Sequence, residues 1–167
     1  LLSFARLGEG GSEYTEVNQC IEDIVKVVRH TLDMRGIELR LLLSEDLPLV
    51  KGDSRQLQQV FLNLINNSVA AMPSGGKLTI STGLERPTRK VVIRIEDDGM
   101  GIKAEHLDRI FEPFFTTKPE GEGTGLGLFV SYGIVAKYGG TMDCLSNDST
   151  SLKPRGTTFT IKLLSQS

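Results

Sequence analysis

The chain has 167 residues, 39% hydrophobic and 24% charged, with 19 basic against 21 acidic side chains and a net charge of −2. That length predicts one ordinary domain, the apolar content excludes a disordered chain, and the balanced charge offers neither a nucleic-acid surface nor a polybasic membrane surface. No apolar run approaches the ~18 residues of a membrane-spanning helix, and Leu1, Leu2 and Phe4 lack the basic leader and cleavage site of a signal peptide.

Leu1 to Leu7 reads as the tail of a helix begun upstream, in a chain that opens without Met, and Gly8, Gly10 and Gly11 break it. Ile21, Ile24, Val25, Val28 and Leu32 recur at helical spacing and predict an amphipathic helix over 18–35, with Gly36 as its stop. Residues 37–43 alternate as a strand, and Pro48 interrupts the stretch after them. A second helix is predicted over 54–72, with Ser54 as N-cap and an end at Pro73 and the Ser74-Gly75-Gly76 turn. Residues 77–83 and 90–96 alternate at period two and read as a hairpin, with Pro87 between them. A short helix over 104–110 precedes a glycine-rich stretch. A third long helix over 124–138 stops at Gly139-Gly140, and strands over 141–146 and 157–163 close the chain. This order predicts an α/β (α+β) two-layer sandwich, its helices on one face of a mixed, mainly antiparallel sheet, rather than a doubly wound parallel sheet. Cys20 and Cys144 have no pairing or metal spacing and read as small apolar residues, which fits a reducing compartment.

Glycine is the informative excess: 18 residues, six of them between Gly99 and Gly127. A Walker A loop fails, because the only Gly-Lys pair, Gly76-Lys77, is followed by Leu78 and preceded by Ala71 where a glycine is needed. The dinucleotide fingerprint matches Gly99-Met100-Gly101-Ile102-Lys103-Ala104, but Asp97-Asp98 precedes it and no full crossover helix follows before Pro113. On the second helix, at about 100° per residue, Leu57, Val60, Phe61, Leu64, Ile65, Ser68, Ala71 and Met72 share one face. Asn63 and Asn67 lie about 120° and 80° to one side of Leu57, and Asn66 points nearly opposite. Two asparagines one turn apart thus flank the core face, where a ligand lying on the helix could reach both. Taken from this helix alone they equally fit ordinary boundary residues.

Taken together, several stretches carry a resemblance. Residues 62–71 (LNLINNSVAA) resemble the N box of sensor histidine kinases, 97–102 (DDGMGI) their G1 box and 111–118 (FEPFFTTK) their F box. Residues 123–128 (GTGLGL) are similar to the G2 box and 156–159 (GTTF) to the terminal G-T-x-F motif. The five occur in the family's order over roughly 16–164, and the Phe-Phe-Thr-Thr-Lys form is most like the nitrogen-regulation type.

The resemblance implies an ATP-binding catalytic domain of the superfamily that unites gyrase, chaperone, histidine kinase and mismatch-repair ATPases, with ATP held between helices and under a mobile lid at 113–125. It implies that Asp97 accepts from the adenine amino group and that Gly99 and Gly101 let the backbone pass the base beside Ile102. Asn67 would coordinate Mg²⁺, Asn63 would lie close by among the nucleotide-binding residues, and Asn63 and Lys118 would be the catalytic residues. Thr117 and Lys118 would sit in the lid, Lys118 reaching the phosphates. Gly123, Thr124, Gly125, Leu126, Gly127 and Leu128 would surround the phosphates, and helix N-termini independently favour anions. Thr157 would support Asp97. Ala70 and Ala71 stand where many such kinases carry a basic or aromatic side chain, and Ser68 replaces the commoner Ala. The implied assembly is residues 1–11 as the stub of a dimerisation helix and linker and 12–167 as the catalytic domain, acting from the cytoplasm whether or not the parent is anchored in a membrane. Its implied partners are ATP, its own dimerisation and phosphoacceptor domain, a response-regulator receiver domain and a second copy in a homodimer.

Alternatives within the superfamily are a hydrolytic clamp, a serine kinase of the anti-sigma type and a module that only senses nucleotide. The clamp relatives carry a Glu where this chain has Asn63, and an amide cannot take a proton from water. His30 and His106 lack the H-E-x-x-x-P context of a phosphoacceptor.

Overall fold

The computed structural model describes residues 13–118 and 124–166. Three helices, α1 (Val17–Met34), α2 (Ser54–Ala70) and α3 (Gly127–Lys137), are accompanied by seven strands: β1 (Tyr14–Thr15), β2 (Ile37–Leu42), β3 (Val50–Lys51), β4 (Gly76–Glu85), β5 (Lys90–Asp97), β6 (Thr141–Asn147) and β7 (Gly156–Leu163). The main sheet runs β2-β4-β5-β7-β6. β2 pairs with β4 in parallel, and β4–β5, β5–β7 and β7–β6 are antiparallel. This is the two-layer mixed sandwich that the sequence predicts.

Alternation in the strands fixes which face meets the helices. On β5, Val91, Ile93, Ile95 and Asp97 are buried, while Arg94 and Glu96 are exposed. β7 supplies Thr157, Phe159, Ile161 and Leu163 to the same face. Against it α2 buries Leu57, Val60, Phe61, Leu64, Ile65 and Ser68, the residues its helical angles single out, and α1 buries Ile21, Ile24, Val25, Val28 and Leu32. Each fully buried Leu, Ile or Phe contributes about 1.5–3 kcal/mol, so this interlayer contact supplies most of the drive to fold.

Four local differences from the sequence reading have physical causes. The N-cap of α2 is Asp53, not Ser54: its carboxylate accepts from the Arg55 and Gln56 N–H groups at 2.9 and 3.1 Å. A carboxylate at this position satisfies orphan amides and complements the helix dipole. The predicted helix at 104–110 is a single 3₁₀ turn, Ala104–His106, continued by turns in which Arg109 N–H donates to His106 O and Glu112 N–H to Arg109 O. Seven residues are too few to offset the cost of nucleating an α-helix without a strong cap. Helix α3 begins at Gly127 rather than at 124, because Gly125 adopts φ +70° and its carbonyl accepts from Phe114 N–H at 2.9 Å. Finally, β1 and β3 form an unpredicted two-stranded ribbon, to which the chain's end adds Lys51 N–H to Leu164 O (2.8 Å) and Gln166 N–H to Leu49 O (2.7 Å).

Candidate nucleotide-binding site

The C-terminal ends of β5 and α2, the loop after β5, the segment 110–118 and the start of α3 enclose a cleft of about 480 Å³. Its lining includes Asn67, Asp97, Gly101, Ile102, Thr117, Lys118, Thr124, Gly125, Gly127, Leu128 and Thr157 from the residues singled out in the sequence. It adds Ala70, Ala71, Met100, Ile110, Phe115, Thr116 and Phe159. A largely apolar cleft with a few convergent polar groups is the usual form of a small-molecule site.

Asp97 ends β5 on the buried face and is 4% exposed. Burial pushes its carboxyl above the usual carboxylate range, with the Asp98 charge acting in the same direction. The Gly99 N–H, the Ser68 hydroxyl and the Thr157 N–H hold it down. The Gly99 bond measures 2.9 Å. Ser68 Oγ, itself buried, makes no hydrogen bond of ordinary geometry, so its influence on the carboxylate comes from proximity. Asp98 points the other way and accepts from Lys77 N–H at 2.8 Å.

The glycines after Asp97 answer first to packing. A Cβ at Gly99 would strike the backbone of Ala71 at the end of α2, and one at Gly101 (φ +75°) would strike the carbonyl of Asn147 at the end of β6. Met100 N–H donates to Ala71 O at 2.9 Å, and Ile102 N–H donates to Ser146 Oγ at 2.7 Å. The loop is therefore wedged between two elements with no room for side chains at these positions, and Gly101 also needs the left-handed conformation. Ser146 lies 2.7 Å from Thr157 Oγ1, so it joins the loop to the strand that supports Asp97. No motif marks Ser146 in the sequence. Only its place in an alternating strand points inward.

On α2 the three asparagines separate as their angles predict: Asn66 is exposed, while Asn63 and Asn67 are half-buried. Asn67 lines the cleft. Asn63 does not, and its amide donates instead to Ser131 Oγ (3.0 Å) and Gly127 O (3.3 Å) on α3. At the start of α3, helix geometry leaves the Gly127 and Leu128 N–H groups without intrahelical partners. Leu126 is not in the lining, and its N–H donates to Thr124 Oγ1 at 3.3 Å. Phe115 closes another wall, with the Arg109 guanidinium 4.7 Å over its ring and the His106 ring 5.5 Å away edge-on. Among the described residues of the lining, Lys118 is the cation. Gly123 and the middle of the segment expected to form a lid, 119–123, lie outside the described residues, as do residues 1–12.

Among the described residues no group of three or more His, Cys, Asp or Glu side chains could hold a metal by itself. The donor set nevertheless fits Mg²⁺ in one form. This ion prefers oxygen, keeps several waters and is commonly held by one or two side-chain oxygens together with substrate phosphates, and Asn67 offers such an oxygen.

Residues 52–167 match the family described as histidine kinase-, DNA gyrase B- and HSP90-like ATPases. The chain is 38% identical to the sensor kinase CckA of Brucella abortus over 98% of its own length and 18% of the relative's. It is 36% identical to the sensor histidine kinase ZraS of Escherichia coli over 89% of its own length and 30% of the relative's. It thus spans less than a third of either. Among solved structures, a mycobacterial sensor histidine kinase, MprB, superposes with a TM-score of 0.79 at 28% identity, covering 92% of this chain and 97% of that one. None of these names singles out the nitrogen-regulation type.

Proposed function

Since the chain belongs to the family of histidine kinase-, DNA gyrase B- and HSP90-like ATPases, we propose that it is the ATP-binding catalytic domain of a two-component sensor histidine kinase, passing the γ-phosphoryl group to a histidine on a partner domain. The observation that carries this reading is one cleft lined both by a buried acceptor, Asp97, and by the first turn of α3 with Lys118. The first suits a base with an exposed amino group, and the second suits phosphates. In the proposal, residues 12–167 form the catalytic domain and 1–11 the end of a dimerisation helix and its linker. The other participants are a dimerisation and phosphoacceptor domain, a receiver domain and a second copy of the parent protein, on the cytoplasmic side.

The site residues take these roles in the proposal. Asp97 accepts from the adenine amino group, positioned by Gly99 and Thr157 from behind, and Gly101 and Ile102 flank the base. The amides of Gly125, Gly127 and Leu128 and the Lys118 ammonium hold phosphate oxygens, with Leu126, Gly123, Thr124 and Thr117 in the segment around them. Asn67 supplies one oxygen to Mg²⁺, which when bound offsets phosphate charge. Phosphoryl transfer is mainly positioning and charge stabilisation, and these groups supply both.

The hydrolytic clamp is less well supported. Among the described residues lining the cleft, Asp97 is the one carboxylate. It is committed beneath the base, so no general base remains for water.

Two measurements test the reading. ATP is expected to bind more tightly than GTP, because guanine presents a carbonyl where adenine presents an amino group, and two facing acceptors cost about 1–3 kcal/mol. Comparable affinities by calorimetry would refute the adenine assignment. Asn67→Ala is expected to weaken Mg²⁺-ATP binding about tenfold with the fold intact, whereas Asn66→Ala, altering an exposed side chain, leaves it unchanged. Equal losses at the two positions would remove Asn67 from the metal.

A further inference from the structure

Asn63 and Asn67 sit one turn apart on α2, yet only Asn67 lines the cleft. The Asn63 amide is engaged by two groups one turn apart on α3: it donates to Ser131 Oγ at 3.0 Å and to the carbonyl of Gly127 at 3.3 Å. Ser131 is fully buried, so its bond is shielded from water. Gly127 is the first residue of α3 and lines the cleft together with Leu128.

Along the face of α3 turned to α2, Gly127, Ser131 and Val135 recur at four-residue spacing. The first two are small enough to admit the Asn63 side chain between the helices. The tie has a particular use at this point. The first turn of α3 follows Gly125, which is in a left-handed conformation and whose carbonyl accepts from Phe114 N–H at 2.9 Å, and the Asn63 amide adds a side-chain bond to that turn from α2. Further along, α3 is held through buried Ile134 and Val135, and at its far end the Lys137 ammonium and the Tyr138 hydroxyl donate to Gln56 Oε1 on α2, leaving the Asn63 amide as the side-chain tie at the cleft end.

From this arrangement we infer that Asn63 is a positioning residue, whose amide locks the first turn of α3 onto the turn of α2 that carries Asn67. The inference rests on the reading of the cleft as a nucleotide site. It assigns Asn63 neither a metal bond nor a proton transfer. The amide sets the spacing between two phosphate-binding elements from different helices, the Asn67 oxygen and the Gly127 and Leu128 N–H groups. Ser131, which no motif includes, becomes its partner in that role. Misplacement by even an ångström at a phosphate site is costly, since such binding depends on several short, directional contacts being met together.

The test compares Asn63→Ala, Ser131→Ala, the double variant and Asn63→Asp. Each is titrated with the magnesium complex of the β,γ-imido analogue of ATP and, separately, with adenosine, both followed by NMR. Asn63→Ala and Ser131→Ala are each expected to weaken the analogue about tenfold. The double variant should be no weaker than the worse single, because both remove the same tie. Adenosine affinity is expected to stay within about twofold, since the Asp97 end is untouched. Asn63→Asp separates a tether from a ligand: a carboxylate is a better Mg²⁺ donor than an amide, but it faces the Gly127 carbonyl as a second acceptor. A tether predicts a loss at least as large as that of Ala.

Analogue binding by Ser131→Ala at the parent level overturns the inference, as does tighter binding by Asn63→Asp or an equal loss for adenosine. Ser131→Ala and Asn63→Asp are read independently, so a folding defect in one leaves the other decisive. If the unaltered chain itself fails to bind the analogue, the nucleotide reading falls first and the inference falls with it.

Discussion

Asp97→Asn is expected to weaken ATP binding about ten- to a hundredfold while raising the thermal midpoint of the ligand-free chain. The two effects have one origin. The Asp97 oxygen that accepts from Gly99 N–H at 2.9 Å will be occupied by the amide oxygen of the variant. That leaves an NH₂ donor where the base presents its own amino group. The stabilisation is a matter of linkage. Burial is the largest influence on Asp97 and raises its carboxyl above the ordinary range. The folded chain therefore holds this proton more tightly than the unfolded chain. The associated stability is fully present below the ordinary carboxylate pKa and is lost as pH rises through the folded value. Above that folded value the domain carries an ionised, buried carboxylate at a cost, and the amide removes that cost. Glu85 and Asp148 are shifted in the opposite direction by their hydrogen bonds, to Lys162 and Thr150. They are common to both proteins and cancel in the difference. The midpoint of the variant relative to the parent should therefore climb from about pH 4, the ordinary carboxylate range, and level off above the raised folded value. A difference independent of pH, or an unchanged affinity for ATP, would refute the role given to Asp97.

Much of this site is legible in the sequence because each of its parts is set by a local rule. The angular positions of Leu57, Phe61, Leu64 and Ile65 fix the buried face of α2, and with it the half-buried placing of Asn67 and the exposure of Asn66. Alternation in β5 places Asp97 inward and Asp98 outward. What local rules do not carry is the choice of partner across the sandwich. Asn63 sits on the same flank as Asn67 by angle, and only the approach of α3, through Gly127 and Ser131, decides that its amide serves the neighbouring helix. The start of α3 is hidden for a similar reason. Thr124, Gly125 and Leu126 read as the opening of a helix, but Phe114, ten residues or more before them in the chain, claims the Gly125 carbonyl. The two-residue strands β1 and β3 are too short for any period to show, and they exist because the end of the chain returns to them.

The chain alone is expected to bind Mg²⁺-ATP and yet acquire no acid-labile phosphate. It contains two histidines. His30 is exposed on α1, whose opposite face is committed to the core through Ile24, Val28 and Leu32, so the helix cannot turn it toward the cleft without dismantling that layer. His106 is absent from the cleft lining, its ring set edge-on at 5.5 Å against Phe115, which does line the cleft, and Glu105 faces its Nε2 at 3.5 Å. In-line transfer needs the attacking nitrogen within about 3–3.5 Å of phosphorus, and effective molarities of order 10⁵–10⁸ M are forfeited without that alignment. Water is no better served, since Asn63 is an amide tied to α3 and the buried Asp97 is, in the proposal, taken up by the adenine amino group. The check is incubation with γ-labelled ATP, alone and with a separately supplied helical-hairpin domain bearing a phosphoacceptor histidine. Label is expected only on the added domain, and only with Mg²⁺ present. Acid-labile label on the chain alone, abolished by His106→Ala, would mean that the chain carries its own acceptor. Rapid release of inorganic phosphate from either mixture would return the clamp-type hydrolase to first place, with a base that none of the described residues of the cleft now supplies.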